Sequence, residues 1–128
     1  MIYLDANVFI YSSSDEGPKG KAAGALLRQA LVEGAATASL TIDEFLWAMR
    51  KKLGRPVAAE KARQLFALDV QIAAVTRDDA ESAISLFADG VDPRDAIHAV
   101  VARRLGCSKI ISSDPAFDKV TGLTRVAY

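Results

Sequence analysis

Met1-Ile2-Tyr3-Leu4-Asp5-Ala6-Asn7 opens the chain as a short apolar run that stops abruptly on a carboxylate. Apart from Asp5 and Asn7, the stretch from Met1 to Tyr11 is apolar. A run this short, with no polar alternation, predicts a strand at Ile2-Tyr3-Leu4 that is buried on both faces, as in a parallel sheet. Similar runs recur at Ala35–Leu40, Val70–Val75, Lys109–Ser112 and, more weakly, Leu123–Ala127. Stretches with helical spacing separate them. Ala22–Val32 carries Ala23, Leu26, Leu27, Ala30 and Leu31, and a second helix carries Ile42, Phe45, Leu46 and Met49 before fading at Gly54. Val57–Leu68 presents Ala58, Ala62, Leu65 and Phe66, and Asp78–Ala88 is expected to turn Ala80, Ala83, Ile84 and Phe87 inward. Pro93–Leu105 is a last helix stopped at Gly106, while Asp15–Gly20 reads as turn chemistry.

Strands separated by helices imply crossovers between parallel strands. The expected fold class is therefore α/β, a three-layer α/β/α sandwich around a central parallel sheet of four to five strands. The two consecutive helices between the second and third strands are an irregularity that the simple alternation does not predict. At 128 residues the chain is expected to form one domain, 1–128, large enough to build a core without staples.

Sixteen basic residues balance 16 acidic ones, which argues against a uniformly basic nucleic-acid coat. One cysteine, Cys107, excludes an internal disulfide, and one histidine, His98, excludes the usual structural zinc sites. No stretch is apolar enough to cross a bilayer, and the start lacks the basic region of a secretory signal, so a soluble cytoplasmic protein is expected.

In a parallel sheet with right-handed crossovers, all strand C-termini and the helix N-termini that follow lie along one edge, where ligands bind. The acids fall at these junctions. Asp5 follows the first strand, Glu44 the second, and Asp114 the fourth, with Asp118 one turn further on; Asp95 lies in the first turn of the helix opened by Asp92-Pro93. Singly, most have a capping explanation. Thr41-Ile42-Asp43-Glu44 fits a capping box, Asp92-Pro93-Arg94-Asp95 a capped helix start, and Asp114-Pro115 a turn or helix opening. Thr76-Arg77-Asp78-Asp79 is read only as a helix start. Asp5 is harder to dismiss as a turn cap, because a carboxylate ending a buried strand is costly unless paired, hydrogen-bonded or bound to metal.

If the junctions meet, the carboxylates repel one another and some pKa values rise, with no Lys or Arg beside Asp5 to neutralise them. Oxygen ligands without cysteine or clustered histidine point to a hard cation, Mg²⁺ or Mn²⁺. Such a site suits phosphodiester hydrolysis through an activated water, and needs no protein nucleophile. None is evident: the chain has no Gly-x-Ser-x-Gly, no Ser-His-Asp arrangement and no Walker motif.

At these residues the chain resembles the PIN-domain nucleases. Met1–Asn7 resembles their opening strand and first acid, Ser39–Glu44 their second block, Arg94-Asp95-Ala96-Ile97-His98-Ala99 their third, and Ile111–Asp118 their fourth. Each motif is weak alone, but their ordered combination spans essentially the whole chain. The length is similar to VapC-type toxins of toxin–antitoxin pairs. The resemblance implies a Mg²⁺- or Mn²⁺-dependent ribonuclease acting on RNA, usually a homodimer and inhibited by an antitoxin protein. It also implies an acidic quartet of Asp5, Glu44, Asp95 and Asp114, with Asp5 and Asp95 as direct metal ligands. Asn7 and Ser112 match supporting polar positions, Ser112 standing where threonine is expected, and Asp118 is a possible fifth acid.

Among the remaining residues, His98 is read as structural, although it lies one helical turn beyond Asp95, and Cys107 as a packed thiol. Trp47 and Phe66 suit either core or interface, and so does Phe45. Arg50-Lys51-Lys52, Arg55 and Arg103-Arg104 have the ordinary explanation of cations at helix C-termini. Arg94 is better placed to hold a substrate phosphate. Two alternatives remain open on the residues: a receiver-like Mg²⁺-binding signalling module, and a scaffold in which the acids serve only as caps.

Overall fold

The computed structural model describes residues 1–128. Strands β1 (Ile2–Leu4), β2 (Ala35–Ala38), β3 (Val70–Ala73), β4 (Lys109–Ile111) and β5 (Thr124–Val126) form one sheet in the order β3-β2-β1-β4-β5. Every pairing is parallel, with Ile2 opposite Ala35 on one side and Lys109 on the other. The chain moves outward from β1 through β2 to β3, then returns to lay β4 against the free side of β1. Strand order therefore reverses between β1 and β4. That reversal opens a crevice at the C-terminal edge.

Each of the first three crossovers carries two helices. α1 (Ala6–Ser14) and α2 (Pro18–Glu33) join β1 to β2, α3 (Leu40–Leu53) and α4 (Arg55–Leu65) join β2 to β3, and α5 (Arg77–Ala88) and α6 (Pro93–Arg104) join β3 to β4. The helix pair expected as an irregularity is thus the repeating unit. Only the β4–β5 link is shorter, a 3-10 turn over Pro115–Lys119.

α1 has no counterpart in the sequence reading. Its buried residues Ala6, Val8, Phe9 and Ile10 are nearly consecutive, so no amphipathic period marks the helix. α2 begins at Pro18 rather than Ala22, with Gly17 as N-cap and Pro18 pre-set for the first turn. Its Gly20 faces the Asp15 carbonyl so closely that a Cβ would stand 1.8 Å from the oxygen, which explains a glycine inside a helix. The expected capping box at Thr41–Glu44 does not form. α3 starts earlier, Thr41 is buried with its hydroxyl 2.7 Å from Thr37 Oγ1, and Thr37 donates to the Leu4 carbonyl. By contrast, Thr76 and Asp79 form a complete capping box, and Asp79 also accepts two bonds from Arg104.

Alternate strand residues feed two cores. Leu4, Ala35 and Ile111 meet α1–α4 through Phe9, Phe45 and Met49, while Tyr3, Ala36 and Ile110 meet α6 through Ala99 and Ala102. The alanines of β2 let helices approach the sheet closely on both sides. Phe45 is core, but Trp47 and Phe66 are exposed. Ile84 and Phe87, expected inward, are 64% and 58% exposed; Ala80 is exposed as well. α5 is an outer helix that packs on α6 along a narrow face at Ala83, leaving the rest of its apolar stripe uncovered. No helix of the chain is long and apolar enough to cross a membrane.

Candidate active site

Asp5 leaves β1 in an extended conformation and starts α1. Its Oδ1 accepts from the Ala6 N–H at 2.8 Å, and its Oδ2 accepts from the Ser112 hydroxyl at 2.8 Å. Asp5 is therefore both a helix cap and a buried, hydrogen-bonded candidate for the site, only 4% exposed. Ser112, wholly buried at the end of β4, links the two strands across the reversal. It donates to Asp5 while its oxygen accepts from the Asp114 N–H at 3.0 Å. Asp114 caps the 3-10 turn through an Oδ1 bond from the Ala116 N–H at 2.9 Å.

Above this pair lies a crevice of about 410 Å³, lined by Asn7, Glu44, Asp92, Pro93, Arg94, Asp95 and Asp114 with no hydrophobic residue among them. Glu44, Asp95 and Asp114 line this crevice, Asp95 from the start of a helix that follows α5 and not a strand. The buried Asp5 lies near enough for its charge to bear on Asp95. Asp92 makes no side-chain cap bond to its helix. Asp118 stands apart: its carboxylate forms two 3.0 Å bonds with Arg125 and is 56% exposed. Neither its pairing nor its direction supports a role as a fifth acid. Arg125 also donates to the Ser112 carbonyl, so the pair braces the strand end from outside.

Crowding shows in the proton affinities. Burial, followed by the charge and proximity of Asp114 and then of Asp5, pushes the Asp95 carboxyl up to about 7. Asp5 is also raised, chiefly by burial, against the opposing pull of His98 and Ser112.

The sequence reading left His98 as structural and found no Lys or Arg beside Asp5. The structure keeps His98 in the core but brings its ring to the acids. His98 is fully buried on α6, with Nε2 bonded to Glu44 Oε1 and 4.0 Å from Asp5 Oδ1, and Nδ1 2.7 Å from the Tyr3 hydroxyl. Burial pulls its pKa down, but the bond and charge of Glu44, aided by Asp5 and Asp95, outweigh burial and leave it raised. The signal that could have found it was the i, i+3 spacing from Asp95, which puts both on one helix face.

No three His, Cys, Asp or Glu side chains, as placed, close around a single point in the manner of a ready-made cage. Mg²⁺ does not require one, since it is commonly held by one or two carboxylates and keeps several waters. The crevice supplies hard oxygen donors only, and its mutually repelling Asp95, Asp114 and Asp5 fit a dication.

A family model for the PIN domain matches residues 2–123. The chain belongs to the PIN-domain family of nucleases. Solved structures carry the same PIN fold. VapBC2 of Rickettsia felis, bound to a promoter DNA fragment, is 14% identical with a TM-score of 0.78, over 100% of this chain and 99% of that one. VapC20 of Mycobacterium tuberculosis, a sarcin-ricin-loop-cleaving toxin, is 16% identical with a TM-score of 0.77, over 92% and 93%. A toxin–antitoxin complex from Klebsiella pneumoniae is 20% identical with a TM-score of 0.68, over 97% and 96%. No curated protein matches the sequence. The receiver-like alternative fails on topology: that fold orders its strands 2-1-3-4-5, whereas this PIN domain has 3-2-1-4-5. The caps-only alternative fails for Glu44, whose carboxylate is turned to His98 and the crevice instead of to its helix N-terminus.

Proposed function

We propose that residues 1–128 form one PIN-like domain that acts as an endoribonuclease dependent on Mg²⁺ or Mn²⁺. It would cleave RNA phosphodiester bonds as the toxin of a toxin–antitoxin pair. The observation that carries the reading is a crevice, where strand order reverses, lined by Glu44, Asp95 and Asp114, with the buried Asp5 near enough for its charge to bear on Asp95. Asp5 and Asp95 are assigned as the direct ligands; Glu44 and Asp114 complete the site or hold water. When bound, the dication would supply polarisation of the phosphoryl oxygen and acidification of a water.

The chain's own residues would set the geometry. Ser112 and the Ala6 N–H engage the two Asp5 oxygens and fix the carboxylate plane. Asn7, on the first turn of α1, offers an uncharged polar contact beside the acids. Arg94 at the rim would hold a substrate phosphate and offset its repulsion from the acids. A carboxylate not committed to the cation, Glu44 or Asp114, would orient the attacking water and accept its proton.

The toxin assignment is supported by family membership and by neighbours that include a toxin–antitoxin complex; the implied partner is an antitoxin protein, and the implied compartment the cytoplasm. A homodimer is supported by the exposed Ile84 and Phe87, which border a 290 Å³ apolar groove reaching Pro93 beside the crevice. Purified protein should cut RNA with Mg²⁺ or Mn²⁺ and stop on chelation, and Asp5→Asn should fold normally without cutting. Cleavage that ignores metal removal, or full activity in that variant, refutes the reading. Expression should arrest growth unless a small partner protein is co-expressed, and sedimentation should give twice the chain mass.

A further inference from the structure

His98 is a fully buried polar group beside the crevice, and the acid–metal reading does not use it. It is fully buried, so it can touch neither substrate nor solvent. Both ring nitrogens are nevertheless engaged. Nδ1 lies 2.7 Å from the Tyr3 hydroxyl of β1, and Nε2 meets Glu44 Oε1 of α3. An ionised carboxylate only accepts, so Nε2 is the donor whatever the charge of the ring. In the neutral ring Nδ1 then accepts from Tyr3, whose hydroxyl burial holds firmly protonated. One chain of bonds thus ties the central strand, α6 and α3 together behind the crevice.

We propose that His98 is a positioning residue for Glu44: the Tyr3–His98 pair holds Oε1 of Glu44 from behind, committing Oε2 to the crevice. A glutamate has three rotatable side-chain bonds, and the bond to His98 is the one side-chain hydrogen bond that Glu44 makes. Without a tether its carboxylate could swing toward solvent and away from Asp95 and Asp114. His98 removes that freedom and, 4.0 Å from Asp5 Oδ1, places a donor between two acids that would otherwise face each other. Groups that orient a metal-site carboxylate from behind typically matter at the level of about 10–100-fold in affinity or activity. The inference rests on the proposed nuclease site and deepens it.

The geometry separates the two amide replacements. In His98→Gln the amide nitrogen reaches the place of Nε2 and can still donate to Glu44. In His98→Asn it reaches only the place of Nδ1, toward Tyr3. The expected result is a kcat loss of about 10–100-fold in His98→Asn with KM for RNA unchanged, and recovery of most of that loss in His98→Gln. Equal impairment in both variants, or a rise in KM with kcat kept, overturns the proposal. His98 is the only histidine in the chain, so ¹⁵N-histidine labelling of the wild-type protein gives a second readout that needs neither a His98 variant nor turnover. A hydrogen-bonded Nε2–H signal should be present and should move or vanish in Glu44→Ala; an Nε2 without its proton, or a signal indifferent to Glu44→Ala, also overturns it. Wild-type protein that cuts no RNA with either cation would instead sink the nuclease reading, leaving the ring signal as it was.

Discussion

Replacing Asp95 by asparagine should make the protein more stable while removing its activity. Asp95 shares the crevice with Asp114, and its carboxyl is pushed up to about 7 by burial and by the charges of Asp114 and Asp5. For a fully buried acid the implied penalty at pH 8 would be about 4 kcal/mol, at 1.36 kcal/mol per pKa unit. Asp95 is only half-buried, and screening by solvent lowers this to about 1–2 kcal/mol. The substitution also forfeits the favourable interaction of a first-turn carboxylate with the α6 dipole, about 0.3–0.5 kcal/mol. The net gain expected for Asp95→Asn at pH 8 is therefore about 1 kcal/mol, or about 3–5 °C in Tm for a domain of this length. The sign follows from linkage. Between the unfolded value near 3.8 and the folded value near 7, the folded state binds more protons, so wild-type stability falls as pH rises across that window. Thermal or urea unfolding from pH 4.5 to 8.5, in chelator, should show a gap that opens over this range and then levels off. Saturating Mn²⁺ should close or invert it, since ligand at 100 times its Kd stabilises the folded state by about 2.7 kcal/mol. An Asn variant less stable than wild type at pH 8, or a gap independent of pH, would refute the electrostatic account of the crevice.

Four further outcomes follow from the same geometry. Ser112→Ala leaves Asp5 Oδ2 and the Asp114 N–H without their bonds, and should cost about 1–3 kcal/mol in urea unfolding as well as activity. Asp79→Ala removes the α5 capping box and the carboxylate bonded to Arg104, and should cost about 2–3 kcal/mol near neutral pH. Because the Arg104 bond holds Asp79 below its usual value, that contribution is present above pH 4 and lost as pH falls through the folded pKa, so the variant's deficit should shrink in acid. Arg94→Ala should raise KM for RNA and reduce the slope of log affinity against log salt by about 1, with kcat less affected. Asp118→Asn should leave cleavage unchanged, since its carboxylate faces Arg125 and not the crevice; a large loss in a kinetic assay would return Asp118 to the site.

The edge strands β3 (Val-Gln-Ile-Ala) and β5 (Thr-Arg-Val) are interrupted by polar residues and only partly buried, which is why the last run reads more weakly. The inner strands β1, β2 and β4 were legible because burial writes itself as short, largely apolar runs. The same continuity hid α1: Val8-Phe9-Ile10 are apolar in succession, and a helix buried on nearly every side has no period to detect. Ile84 and Phe87 misled for the opposite reason. Their helical spacing is correct, but spacing cannot say whether an apolar stripe meets the sheet or faces outward.

Of the candidate site, local chemistry marked the acids at strand ends and helix starts, and the resemblance to the PIN-domain motifs singled out Asp5, Glu44, Asp95 and Asp114 among them. A carboxylate at the end of a buried strand, or in the first turn of a helix, is a property of neighbours in the chain. What only the tertiary structure decided is which acids face the crevice and what stands behind them. Asp118 resembles Asp114 in the sequence, yet an arginine from β5 takes it away from the crevice. His98, set in an alanine-rich helix, becomes the back support of Glu44 because Tyr3 and Glu44, 95 and 54 residues away from it, approach its two ring nitrogens. Contacts at that separation depend on strand order and helix placement, and no local periodicity encodes them.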